Sequence, residues 1–93
     1  MKLDLKVQYS KKALNFISKN VQVITEEDVD NVIILAVKKL FKLEESSIDV
    51  KPLKGNLKGT YRIRKGKLRI TFIFKEKTII FVESIVFRKD AYK

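Results

Sequence analysis

The stretch Gly59-Thr60-Tyr61-Arg62-Ile63-Arg64-Lys65-Gly66-Lys67-Leu68-Arg69-Ile70 decides how this chain is read. Apolar and basic residues alternate on either side of Gly66, a period of two that marks two antiparallel strands folded back on a tight turn. With Lys65-Gly66 as a two-residue turn, Arg64 falls opposite Lys67, Ile63 opposite Leu68, Arg62 opposite Arg69 and Tyr61 opposite Ile70. Directly opposed residues share a face. Arg62, Arg64, Lys67 and Arg69 are therefore expected on one side, with Tyr61, Ile63, Leu68, Ile70 and Phe72 on the other, in a core. Like charges set across from one another repel, so folding gains nothing from the patch, and a bound anion resolves it. Arginine at three of the four positions suits the forked recognition of phosphate oxygens. The plainer reading of the same residues is an edge hairpin that uses charge to resist association.

Outward from the hairpin, Tyr61 to Arg64, Leu68 to Phe74 and Thr78 to Phe87 read as three strands, the last two joined by a turn at Lys75-Glu76-Lys77. The register of the last strand stays open. A three-residue loop puts Glu83 opposite Arg69 on the basic face, whereas a two-residue loop turns Glu83 inward and brings Arg88 to that face. A bulge between Glu83 and Arg88 reconciles the two. Arg88-Lys89-Asp90-Ala91-Tyr92 follow, so a tyrosine comes after the cationic strands. Upstream, Ser46, Ser47, Asp49, Pro52, Gly55 and Gly59 mark an irregular connection.

Further back, Thr25 and Asp28 form a capping-box signature, and Glu26, Glu27, Asp28 and Asp30 suit the positive end of a helix dipole. Val29, Val32, Ile33, Ala36, Val37, Leu40 and Phe41 then recur at helical spacing, an apolar stripe to lay on a sheet. Ser10 caps a shorter helix from Lys11 to about Asn20, with Ala13, Leu14, Phe16 and Ile17 towards one side. Before it, Leu3, Leu5, Val7 and Tyr9 alternate with polar residues as a strand. The order is β-α-α-β-β-β. It implies an α+β fold in which two N-terminal helices cover one face of an antiparallel sheet and leave the other open for function.

Composition narrows the chemistry. Ninety-three residues leave room for a single domain, 1–93, with one modest core. The net charge of +10 is unevenly placed: residues 1–50 hold eight basic and eight acidic residues, and 51–93 hold thirteen and three. Such a field attracts polyanions: RNA, DNA or an acidic protein. There is no cysteine and no histidine, which excludes thiol catalysis, the usual zinc sets and any Ser-His or Cys-His nucleophile. Glu76, Glu83 and Asp90 are too scattered to suggest a metal cluster, so no cofactor is expected. The longest apolar run, Val32 to Val37, is too short to span a bilayer, and the early charge alternation argues against a signal peptide. A soluble, cytoplasmic protein without membrane partners is the expectation.

Three pieces carry a family resemblance: Leu53-Lys54-Gly55, the hairpin from Gly59 to Ile70, and Ile85-Val86-Phe87-Arg88-Lys89-Asp90-Ala91-Tyr92. Tyr9-Ser10-Lys11-Lys12-Ala13-Leu14 fits the start of the first helix. In their order and spacing these resemble the RelE/ParE toxin superfamily of toxin-antitoxin systems. The resemblance implies a microbial-RNase-like fold and, for the RelE branch, an mRNA interferase that cuts message in the ribosomal A site. It further implies that Arg62 and Arg64, with Lys67 and Lys54, engage RNA phosphates, and that Arg69, Arg88 and Tyr92 are catalytic. Its partner would be a RelB-like antitoxin presenting a helical, acidic segment. Many members carry histidine before the C-terminal arginine, and Phe87 stands there, so only an Arg/Tyr form of the mechanism fits.

RNA carries its own nucleophile, and attack of a 2′-hydroxyl on the adjacent phosphorus needs deprotonation, charge stabilisation and leaving-group protonation, with no metal. Arginines suit the middle task; Tyr92 is the candidate base, with Glu83 in reserve. The resemblance leaves two alternatives: a ParE-like inhibitor of DNA gyrase, and a non-catalytic RNA-binding relic of the same fold.

Overall fold

The computed structural model describes residues 4–53, 55 and 59–91. The elements run β1 (Lys6–Tyr9), α1 (Lys11–Lys19), α2 (Glu26–Leu40), β2 (Asp49–Pro52), β3 (Thr60–Lys65), β4 (Leu68–Glu76), β5 (Ile79–Phe87) and a short α3 (Arg88–Ala91). The α+β class and the helix pair ahead of a meander are as the sequence implies. Five strands lie in the order β1-β5-β4-β3-β2.

Two features of the sheet differ from expectation. The segment read as irregular contains β2, antiparallel to β3, with Val50 buried between outward-facing Asp49 and Lys51. Its proline ends the strand on the sheet edge, where a missing N–H is tolerated. The sheet is also mixed rather than wholly antiparallel, because β1 pairs with β5 in parallel. The helix pair accounts for this, since it carries the chain across one face from the β1 edge to the β2 edge.

The helices begin where their caps dictate. Ser10 Oγ accepts from the Ala13 N–H, and the Thr25/Asp28 box is closed in both directions. Ala13, Ile17, Val29, Val32, Ile33, Ala36 and Val37 pack with Ile63, Leu68, Ile70, Phe72, Ile80, Val82 and Ile85 of the sheet. Each fully buried Ile or Phe contributes about 1.5–3 kcal/mol, so this one layer holds the helices to the sheet. Phe41, expected in the stripe, is instead the C-cap of α2 and half exposed, lying against Phe74. Tyr9 fastens β1 to α2: its hydroxyl donates to Asp30 and the Glu26 carbonyl.

Turn geometry moves the hairpin register. The loop is Gly66-Lys67, closed by Lys65 and Leu68, and Gly66 stands at φ 57°. Glycine first in a two-residue loop is the type II′ arrangement, which matches strand twist. The pairing therefore slips by two from the Lys65-Gly66 turn expected above. Arg64 faces Arg69, Ile63 faces Ile70, Arg62 faces Thr71 and Tyr61 faces Phe72. A slip of two preserves the faces, so the arginines stay together on the side away from the helices. Lys67 is the exception: it lies in the turn, not on the strand.

Candidate nucleic-acid interface

The sheet face opposite the helices is built by register. Asp49 and Lys51 of β2, Arg62 and Arg64 of β3, Arg69 and Thr71 of β4, and Ser84 and Val86 of β5 are cross-strand partners that share it. Across the sheet Asp49, Arg64, Arg69 and Val86 form one row, and Lys51, Arg62, Thr71 and Ser84 the next.

Arg62 was expected at the surface beside Arg64, and the structure corrects this. Arg62 is only 6% exposed, and its Nη1 donates to Asp49 Oδ1 at 2.9 Å. Buried charge needs such a partner, so the edge strand supplies one. Arg64, more exposed, approaches the other Asp49 oxygen at 4.0 Å. The hydrogen bond from Arg62 holds the Asp49 carboxyl below its usual range; desolvation opposes it, and the charges of Arg62, Arg64 and Lys51 reinforce it.

The β5 end is shaped by a bulge. Ser84 pairs with Thr71 and Val82 with Phe72, leaving Glu83 between them without a partner residue in the ladder. The bulge thus sits at Glu83 itself, not between Glu83 and Arg88, and Glu83 does not face Arg69; Val86 does. The Glu83 carbonyl accepts from Ser10 Oγ at 2.7 Å, so the cap of α1 clamps the bulge. The Thr71 and Ser84 hydroxyls bond to each other beside it.

Past β5, Arg88 opens α3 and is tied to the hairpin turn. Its backbone N–H donates to the Lys67 carbonyl at 2.8 Å, and its guanidinium to the Gly66 carbonyl at 3.3 Å. Gly66, Lys67, Phe87, Arg88 and Lys89 line a cleft of about 690 Å³ here. The chain therefore brings Lys67 and Arg88 together at the end of the sheet that also carries the Arg64–Arg69 row. Phe87, at the position where the resemblance leads one to look for histidine, pairs with Leu68 and sets its ring edge-on to Phe16 of α1, 5.2 Å between centroids. Tyr92 and Lys54 lie outside the described residues.

Sequence reasoning missed Asp49 and Lys51 as members of this face. The signal was present in Ile48-Asp49-Val50-Lys51, a brief alternation that the neighbouring serines and proline concealed. Among the described residues no group of three or more acidic side chains is arranged to hold a metal ion, and no helix is long and apolar enough to cross a membrane.

No protein-family model and no curated protein matches the chain. Solved structures do. The complex of DinJ and YafQ from E. coli contains a chain that superposes with a TM-score of 0.67 at 10% identity, over 96% of this chain and 99% of that one. A copper-bound mutant toxin from Helicobacter pylori gives 0.67 at 18% identity, over 92% and 97%. The RelB-RelE antitoxin-toxin complex from Methanococcus jannaschii gives 0.54 at 21% identity, over 91% and 94%. At these identities the likeness establishes the fold, which is that of the RelE- and YafQ-type toxins.

Proposed function

We propose that this chain is the toxin of a type II toxin-antitoxin system and acts in the cytoplasm as a metal-independent endoribonuclease on mRNA in the ribosomal A site. The observation that carries this reading is the direct opposition of Arg64 and Arg69 on the face away from the helices, at the sheet end where Arg88 is anchored. The shared fold supports it. Arg69 and Arg88 take the non-bridging phosphate oxygens, where charge-assisted bonds strengthen as negative charge grows in the transition state. Arg64, with Lys67 and Lys54, positions the RNA, and Arg62 acts as the prop beneath it. Tyr92 is the candidate base for the 2′-hydroxyl proton, with Glu83 the reserve acid/base; as the 2′-oxygen bonds to phosphorus the bond to the 5′-oxygen breaks, and that oxygen leaves with a proton from water.

YafQ is solved with DinJ in a toxin-antitoxin complex, and RelE with RelB in an antitoxin-toxin complex. By analogy, a RelB-like partner with a helical, acidic segment covers the cationic face of this chain and silences it. The test is brief induced expression followed by mapping of message 5′ ends. New ends within codons, lost in an Arg69→Ala variant, support the reading; unbroken messages with arrested growth would overturn it.

One observation favours a second reading. Phe87 packs towards α1 and offers no proton, as a gyrase inhibitor or an RNA-binding relic would tolerate. A gyrase supercoiling assay beside a translation assay separates these.

A further inference from the structure

Asp49 is an anion set among the cations of the face away from the helices. The register places it directly opposite Arg64, with Lys51 opposite Arg62. Its two oxygens are divided between the arginines, Oδ1 to Arg62 at 2.9 Å and Oδ2 towards Arg64 at 4.0 Å. The side chains differ sharply in exposure: 8% for Arg62, 35% for Arg64 and 41% for Asp49. A guanidinium covered like Arg62 is held by its partner charge and cannot swing out to a ligand. Arg64 is exposed enough to meet one, and a carboxylate of the strand ladder stands 4.0 Å from its Nη1.

We propose that Asp49 is a positioning residue for RNA on this face: it fixes Arg62 as a buried prop, draws Arg64 to one side, and sets how much positive charge β3 offers a phosphodiester chain. The proposal rests on the nucleic-acid reading above. Removing the carboxylate has two opposed consequences. The face gains one net positive charge, so RNA is held more tightly and with steeper salt dependence. Arg64 loses its fixed direction, so the phosphate is held in the wrong place and cleavage slows. A merely structural residue would weaken binding and cleavage together, and a simple charge screen would lower both while present.

The test compares the full chain with its Asp49→Asn and Asp49→Glu variants, using a short single-stranded 2′-O-methyl RNA for binding and ribosome-bound message for cleavage. Asp49→Asn should bind the RNA about threefold to tenfold more tightly at low salt, with a log-log salt slope steeper by about 0.7. It should cut message about tenfold to a hundredfold more slowly. Asp49→Glu should restore both towards wild type. If Asp49→Asn does not fold, the double variant Asp49→Asn, Arg62→Gln removes the buried charge with its partner; the net charge of the face is then unchanged, so binding and salt slope should stay at the wild-type value while cleavage still slows about tenfold or more. Unchanged binding and salt slope in Asp49→Asn, binding and cleavage moving in the same direction in it, or undiminished cleavage by the double variant would overturn the proposal. A wild-type chain that never cuts, while binding still tightens on Asp49→Asn, would sink the nuclease reading and leave the hold of Asp49 on the arginines standing.

Discussion

Arg64 on β3 and Arg69 on β4 are direct cross-strand partners on the face away from the helices, while Arg62, one step along β3 on the same face, is buried against Asp49. Neighbouring arginines of one strand thus do different work. Arg62→Ala removes a buried charged hydrogen bond and should cost about 2 kcal/mol, a fall in Tm of about 10 °C for a domain of this size. Arg64→Ala should shift Tm little and instead weaken RNA binding and flatten its salt dependence by about one phosphate contact. Thermal unfolding and salt titration of both variants check the division.

Acid should reveal the same pair from the other side. The carboxyl of Asp49 titrates lower in the folded chain than in the unfolded one. Its contribution is therefore complete above the unfolded carboxyl range, near pH 4, and disappears as pH falls through the lower folded value. The urea midpoints of wild type and Asp49→Asn should differ at pH 6 and converge in strong acid. Midpoints separated by the same amount throughout would contradict this.

At the alkaline end the responsive group is Tyr9. Burial, then its hydrogen bond to Asp30, then the charges of Asp30 and Glu26 push its hydroxyl far above the usual range. Above about pH 10 the unfolded chain ionises this tyrosine and the folded chain does not, so stability falls with rising pH. Tyr9→Phe should be less stable at pH 7, for want of the bond, and should lose less stability between pH 9 and 11.

Phe87 should behave as a packing residue. Phe87→Ala opens a gap beside Phe16 and should lower stability by about 2 kcal/mol, less than for a fully buried phenylalanine. Phe87→His places a titratable ring on the side facing α1 and should raise RNA cleavage no more than about twofold, against the large gain expected of a true acid/base group. Single-turnover rates across pH decide it.

Much of this was legible in the sequence because alternation and capping are local. The caps at Ser10 and Thr25, the faces of the hairpin and the core residues Ile63, Ile70 and Phe72 all follow from neighbours a few positions apart. The features that sequence hid depend on distant partners. Whether Arg62 stands free or buried turns on Asp49 thirteen residues earlier, on a strand too short to announce itself. The bulge at Glu83 turns on Ser10, seventy-three residues away. The parallel pairing of β1 depends on where the helices deliver the chain, which no stretch of alternation encodes.

The central claim is that Arg69, set across from Arg64, stabilises charge on a phosphate undergoing cleavage. Its most direct test is single-turnover cutting of a message in the A site of purified ribosomes by wild type and by Arg69→Ala. Wild type should cleave, Arg69→Ala should cut about a hundredfold or more slowly, and the variant should still unfold in a single cooperative transition. Undiminished cutting by Arg69→Ala, or none by a folded wild type, would contradict it.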